Sequence, residues 1–199
     1  MRLTGALAVT ACLLLMPVPG NAQHGGSGHS HSKYAGQQTR EIKSLSPDDL
    51  AELRRGGGWG LAKAAELNGV PGPAHLLELK SKISMSPEQV RKVEALFKNM
   101  QARAIAGGKE LIAAEKALEA GFRAGGMSDD KLKAMLTDIA KARAKLRFVH
   151  LSAHLRTPAI LSKAQIQRYN RLRGYANDPC ARVPKGDDAA MWRKHNGCK

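Results

Sequence analysis

Two histidines, His150 and His154, stand four residues apart in the stretch RFVHLSAHLRTPAILSKAQ (residues 147–165). On a helix that spacing puts both imidazoles on one face, where they can hold a single transition-metal ion. Taking 100° per residue, they border an apolar stripe of Leu146, Val149 and Ala153, so a neighbouring helix can complete the set. The candidates for completion are His75 and Glu78, one turn apart in PAHLLEL, and Glu66. Nitrogen-rich ligands favour zinc, copper or nickel over magnesium or calcium. The competing reading is structural: two neutral, hydrogen-bonded histidines edging a helical core. A separate group, His24, His29 and His31, lies in a Gly/Ser-rich stretch that either captures such metals loosely or is a polar linker with incidental histidines. His195 beside Cys198 is a weaker ligand candidate. No pattern calls for an organic cofactor.

The elements that position these residues are helical. Four serine caps open four helices, in Leu45-Ser46-Pro47-Asp48-Asp49, Met85-Ser86-Pro87-Glu88-Gln89, Met127-Ser128-Asp129-Asp130 and Leu161-Ser162-Lys163-Ala164-Gln165. Serine accepts a free backbone N–H, proline suits the first helical position, and Gln89 and Gln165 can reach back to close capping boxes. From Ser86 an apolar stripe runs at 3–4 spacing from Val90 through Phe97, Met100, Leu111 and Leu118 to Gly121. A second stripe runs from Leu132 through Met135, Ile139, Ala142, Leu146 and Val149 to Ala153. Joined by a Gly-rich turn at 123–127, they form an antiparallel helical hairpin. Gly107-Gly108 should bend or soften its first helix. Shorter helices from 46–68, from Pro73 and from 162–174 must cover the hairpin, with RRGGGWG (54–60) and NGVPGP (68–73) breaking the first region. The fold class is all-α: a long hairpin with short helices packed on it, a disordered N-terminal segment and an irregular C-terminal tail.

The chain carries Lys+Arg 32 against Asp+Glu 17, a formal charge of +15. Its start, Met1-Arg2 followed by an apolar run and small residues at Gly20 and Ala22, reads as a cleaved signal peptide over 1–22. The alternative is a lipoprotein processed at Cys12. The apolar run is shorter than the roughly 20 residues a spanning helix needs. Export to the periplasm excludes nucleic acid as the partner of the basic surface and points to acidic polypeptides. In that oxidising compartment Cys180 and Cys198 should pair, closing a loop worth about 3 kcal/mol. The organisation is then a flexible His/Gly/Ser-rich segment at 23–44, a helical domain at 45–175 and a tail at 176–199. There is no nucleophile elbow, phosphate loop or HExxH motif, and Glu115 and Glu119 look like ordinary helix-surface acids near Lys116, so the chain reads as a non-enzyme.

The motif pair Met85-Ser86-Pro87-Glu88-Gln89 and Leu161-Ser162-Lys163-Ala164-Gln165, bracketing a hairpin behind a signal peptide, resembles the paired Leu-Thr-x-x-Gln motifs of the Spy/CpxP periplasmic proteins. It is similar too to the related heavy-metal-resistance group of CnrX and ZraP. The resemblance covers about 45–175 and departs from the motif at Ser86, Ser162 and Met85. It implies an envelope-stress or metal-resistance protein, often a homodimer, that binds unfolded polypeptide without ATP, binds divalent transition metal, or reports metal to a membrane-bound sensor partner. On the chaperone alternative, Lys92, Arg103, Lys109, Lys141 and Lys145 are the cations that would meet an unfolded, acidic client.

Overall fold

The structure is a computed structural model describing residues 32–176, 183–195 and 198. Residues 1–35 and 36–199 form separate units; only 32–35 of the first are described, and everything below concerns the second. The signal peptide, His24, His29, His31 and Cys180 lie outside the described residues, as does the expected Cys180–Cys198 bridge. Among the described residues there is no strand, and no helix is long and apolar enough to cross a membrane. The all-α architecture consists of α1 (Pro47–Arg54), α2 (Lys63–Glu66), α3 (Pro73–Glu78), α4 (Pro87–Ala124), α5 (Asp129–Arg156), α6 (Lys163–Leu172) and α7 (Ala189–His195). The last occupies part of the tail expected to be irregular. Asp188 caps it by accepting from the Met191 amide at 2.7 Å, and the alanines that follow favour helix.

All four serine caps form. Ser46, Ser86, Ser128 and Ser162 accept from the amides of Asp49, Gln89, Lys131 and Gln165 at 3.1–3.3 Å. At three of them the return bond completes a capping box, supplied by Asp49, Gln89 and Gln165. Lys131, having no acceptor, cannot do this for Ser128. The two glutamine boxes also interlock. Gln89 Nε2 donates to Gln165 Oε1, and Gln165 Nε2 donates to Gln89 Oε1, each at 2.9 Å. Each amide then reaches a backbone carbonyl beside the other's helix start: Gln89 to Ile160 at 2.8 Å, Gln165 to Ser84 at 3.1 Å. The motif pair therefore ties the start of α4 to the start of α6.

α4 and α5 pack along one another as the hairpin, with the turn at 125–128. One apolar cluster joins Leu53 of α1 to Met100, Ala104 and Leu111 of α4 and to Leu146, Val149 and Ala153 of α5. A second gathers Leu76, Ile83, Val93, Leu161 and Tyr169 where α3, α4 and α6 meet. Burying each such leucine or isoleucine contributes about 1.5–3 kcal/mol. α4 stays helical through Gly107 and Gly108, and both glycines are packing positions. A Cβ on Gly108 would lie 2.3 Å from the Leu53 carbonyl oxygen, and one on Gly107 3.3 Å from Leu146 Cδ1.

Packing also begins earlier than the composition suggests. Ile42 is 1% exposed in the first cluster, inside the segment expected to be flexible. Lys43 pairs with Glu119, Ser44 donates to Glu115 at 2.9 Å, and Lys116 pairs with Glu41 at 2.6 Å. Glu115 and Glu119 thus bind the 41–44 segment to α4, a role their surface pattern did not suggest.

Candidate functional site

Glu66 ends α2, and five residues of turn separate it from Gly72 and Pro73, which open α3. The turn is held from two sides. Asn170 Nδ2 donates to the Gly69 carbonyl at 3.1 Å, and the buried Thr157 hydroxyl donates to the Pro71 carbonyl at 2.7 Å. Pro73 at the first helical position places His75 in the opening turn of α3, facing back to Glu66. His150 and His154 come from the last two turns of α5, and Tyr169 and Arg173 from α6 and its C-cap. Five chain segments therefore meet around one carboxylate.

That carboxylate is 8% exposed. Its Oε1 lies 3.2 Å from His75 Nδ1, accepts the Tyr169 hydroxyl, and lies 3.3 Å from Arg173 Nε. Its Oε2 is buried with no hydrogen-bond partner among the described residues, 3.8 Å from His154 Nδ1. Burial pushes the Glu66 pKa upward, but hydrogen bonds from His75 and Tyr169 and the charge of both nearby imidazoles outweigh it, holding the pKa at about 2. Glu66 is an anion at every physiological pH. Burial and the bond to Glu66 push the Tyr169 phenol up, so it stays a donor.

The imidazole tautomers follow from their acceptors. His154 Nδ1 stands 2.9 Å from the Val70 carbonyl, which can only accept, so Nδ1 carries a hydrogen and the lone pair of the neutral ring falls on Nε2. The ionised Glu66 likewise keeps a hydrogen on His75 Nδ1, 3.2 Å away. His150 is 3% exposed, and its Nε2 is buried without a partner among the described residues. Burial, assisted by His154, lowers its pKa, keeping it neutral. The backbone passes closest at Gly72, where a Cβ would lie 2.7 Å from His154 Nε2 and 3.5 Å from Glu66 Oε2. Only glycine fits between them.

His75, Glu78, His150 and His154, the four ligands expected from spacing, all line one cavity of about 730 Å³, together with Glu66, Met100 and Arg173. The centre of the arrangement differs from expectation. Glu78 reaches the cavity wall but makes no ion pair among the described residues, whereas Glu66 touches His75 and lies beside His154. α3 is a six-residue helix, and its His75 ring meets Glu66 on α2. His150 and His154 are also more buried than edge positions would be. Among the described residues no group of three or more His, Cys, Asp or Glu stands in metal-holding geometry. Tyr169 and Arg173 were not foreseen; their one sequence signal is the 3–4 spacing Ile166, Tyr169, Arg173 on α6.

The mouth of the cavity is built by the glycine loop before α2. Trp59 adopts φ 43°, between Gly56 and Gly60 at φ 68°. Its indole N–H donates to Asp49 at 2.7 Å, and the Arg143 guanidinium lies 4.6 Å from the ring centroid. On the hairpin, several cations of the expected client face are paired: Lys92 with Glu88 at 2.7 Å, Lys141 with Asp138 at 3.9 Å and Lys145 with Glu110 at 3.5 Å. Arg103 and Lys109 have no ion pair among the described residues, and Arg103, Lys145 and the exposed Phe148 border a shallow groove floored by Gly107 and Ala144. The chain matches no protein-family model, no curated protein and no solved structure.

Proposed function

We propose that this chain is a non-enzymatic, exported envelope-stress or metal-resistance protein that binds a divalent transition metal, zinc, copper or nickel, in the pocket around Glu66, His75, His150 and His154. The observation that carries the reading is a pair of buried ligand atoms without hydrogen-bond partners among the described residues, Glu66 Oε2 and His150 Nε2, on side chains that line one cavity together with His154. Buried polar atoms are nearly always satisfied, and an ion drawn between these two side chains would satisfy both. Outer contacts from Glu66 to His75 and from Val70 to His154 set tautomers, as acceptors behind metal-bound histidines do. Binding would draw the donors together, chiefly by rotation of His75, whose side chain is 37% exposed. The resemblance to the Spy/CpxP and heavy-metal-resistance proteins points the same way, as does the proposed periplasmic location behind a cleaved leader.

The test is calorimetric titration with zinc and copper, in the full exported chain with His24, His29 and His31 replaced by alanine. His150→Ala with His154→Ala should weaken binding at least about 100-fold, and Glu88→Ala on the α4 surface should leave it unchanged. Affinity should fall as pH drops through about 6.5, since imidazole binds metal only when neutral. Unchanged affinity in the double variant would return the two histidines to a structural role. A second reading, ATP-independent capture of unfolded polypeptide, is favoured by the large apolar side chains exposed on the cationic hairpin, Phe122, Leu136, Phe148 and Leu155.

A further inference from the structure

Arg173 is an unusual neighbour for the pocket. Its Nε is 3.3 Å from Glu66 Oε1 yet makes no hydrogen bond there, and it is buried without another partner among the described residues. The guanidinium donates instead from NH2 to the Tyr175 hydroxyl at 3.1 Å and lies 5.6 Å from the Tyr175 ring. Charge, then, and no aligned hydrogen bond, holds it against Glu66. The oxygen it faces is already taken by His75 and Tyr169, whereas Oε2 carries no hydrogen bond.

The charges explain why it stays. Glu66 contributes one negative charge, the Tyr169 phenol and the neutral His150 ring contribute none, and the His75 and His154 rings contribute charge only when protonated. Arg173 is the one permanent cation within ion-pair distance of Glu66 among the described residues. A dication on Oε2 over-neutralises the carboxylate and repels a guanidinium lying beside the other oxygen. Arg173 can leave, because its side chain is 30% exposed against 10% for Glu66. Its departure would carry more than one side chain. Arg173 is the C-cap of α6, Gly174 follows at φ 71°, and the amides of Tyr175 and Ala176 fold back onto the Asn170 carbonyl at 2.8 and 3.3 Å.

We infer that Arg173 is a built-in counterion of the pocket, and that a divalent cation bound at Glu66 Oε2 expels it, loosening residues 173–176 at the root of the C-terminal segment. This rests on the metal reading above and adds its regulation: occupancy of the pocket becomes readable at the end of α6.

The experiment uses zinc on the full chain with His24, His29 and His31 replaced by alanine. Arg173→Met keeps the aliphatic stem and removes the charge, so zinc affinity should rise about tenfold, the size expected for removing one solvent-screened charge a few ångströms from a dication. Arg173→Lys should restore the parent value. Mass spectrometry of limited trypsin digests should show cleavage after Arg173 speeding up several-fold with zinc and not with magnesium. Were Arg173 only a packing residue, Arg173→Met would bind zinc equally or more weakly, and zinc would protect the 173–174 bond. Either result overturns the inference while leaving the metal site standing. Failure of the parent chain to bind zinc at all overturns both.

Discussion

A buried carboxylate whose two oxygens live different lives is the residue on which the site turns. Glu66 Oε1 takes His75 and Tyr169 and faces Arg173, while Oε2 takes no hydrogen bond. Its pKa is depressed from an ordinary 4.5 to about 2, so it contributes stability that is present above the unfolded-state value and lost as pH falls from about 4.5 to about 2. Glu66→Gln should therefore destabilise the metal-free protein at pH 7 by on the order of 2–3 kcal/mol, and the gap between variant and parent should shrink below pH 3. Urea unfolding at both pH values checks this; a gap independent of pH would mean that the charge does not matter. Spacing along the chain revealed His150 and His154 because they border a readable stripe on α5, and His75 because it stands one turn from Glu78. Glu66 stood among the alternatives only. Tyr169 was invisible, because its bond to Glu66 joins residues 103 apart and α2 is a four-residue helix with no periodicity to read.

Local chemistry made the elements easier to read than their contacts. A capping serine determines a helix start wherever it sits, strengthened by proline after Ser46 and Ser86 and by a side-chain acceptor three residues on at Ser46, Ser86 and Ser162, and all four starts follow from it. What a cap cannot tell is what else its glutamine will bind, so the Gln89–Gln165 lock emerges only when α4 and α6 meet. Gly107 and Gly108 make the same point. Sequence assigns both a helix-propensity penalty of about 1 kcal/mol against alanine. Packing separates them: a Cβ at Gly107 meets the flexible end of Leu146 at 3.3 Å, whereas one at Gly108 meets the Leu53 backbone oxygen at 2.3 Å. Gly107→Ala should be close to neutral in thermal unfolding. Gly108→Ala should cost about 2 kcal/mol or more, because α1 must lift from α4 and the overpacking outweighs the propensity gain. Equal effects at the two positions would show that α1 does not sit against Gly108 in solution.

Within the helical unit, burial is concentrated at one end of the hairpin. Beyond Ile112 the only buried residue of α4 is Gly121, and α5 buries nothing before Ala142. Phe122 at 59% and Leu136 at 48% exposure lie on that outer part, while Phe148 and Leu155 emerge nearer the body. Aromatic and leucine side chains left open on a chain of formal charge +15 suit capture of unfolded, acidic polypeptide, with charge speeding encounter and apolar contact slowing release. The ion pairs of Lys92, Lys141 and Lys145 temper that field, which leaves Arg103 and Lys109 the stronger cations of the face. On this reading the chain should slow aggregation of a chemically unfolded acidic protein without ATP. Raising salt from about 0.05 to 0.5 M should weaken the effect, since the screening length is about 10 Å at 0.1 M. Phe122→Ser with Leu136→Ser should weaken it further at either salt, without loss of the helical circular-dichroism signal, because neither side chain is in the core. Light scattering reads all three. Protection that ignores salt would remove the cations from the mechanism, and no protection at several-fold molar excess in low salt would leave metal binding as the one function of the fold.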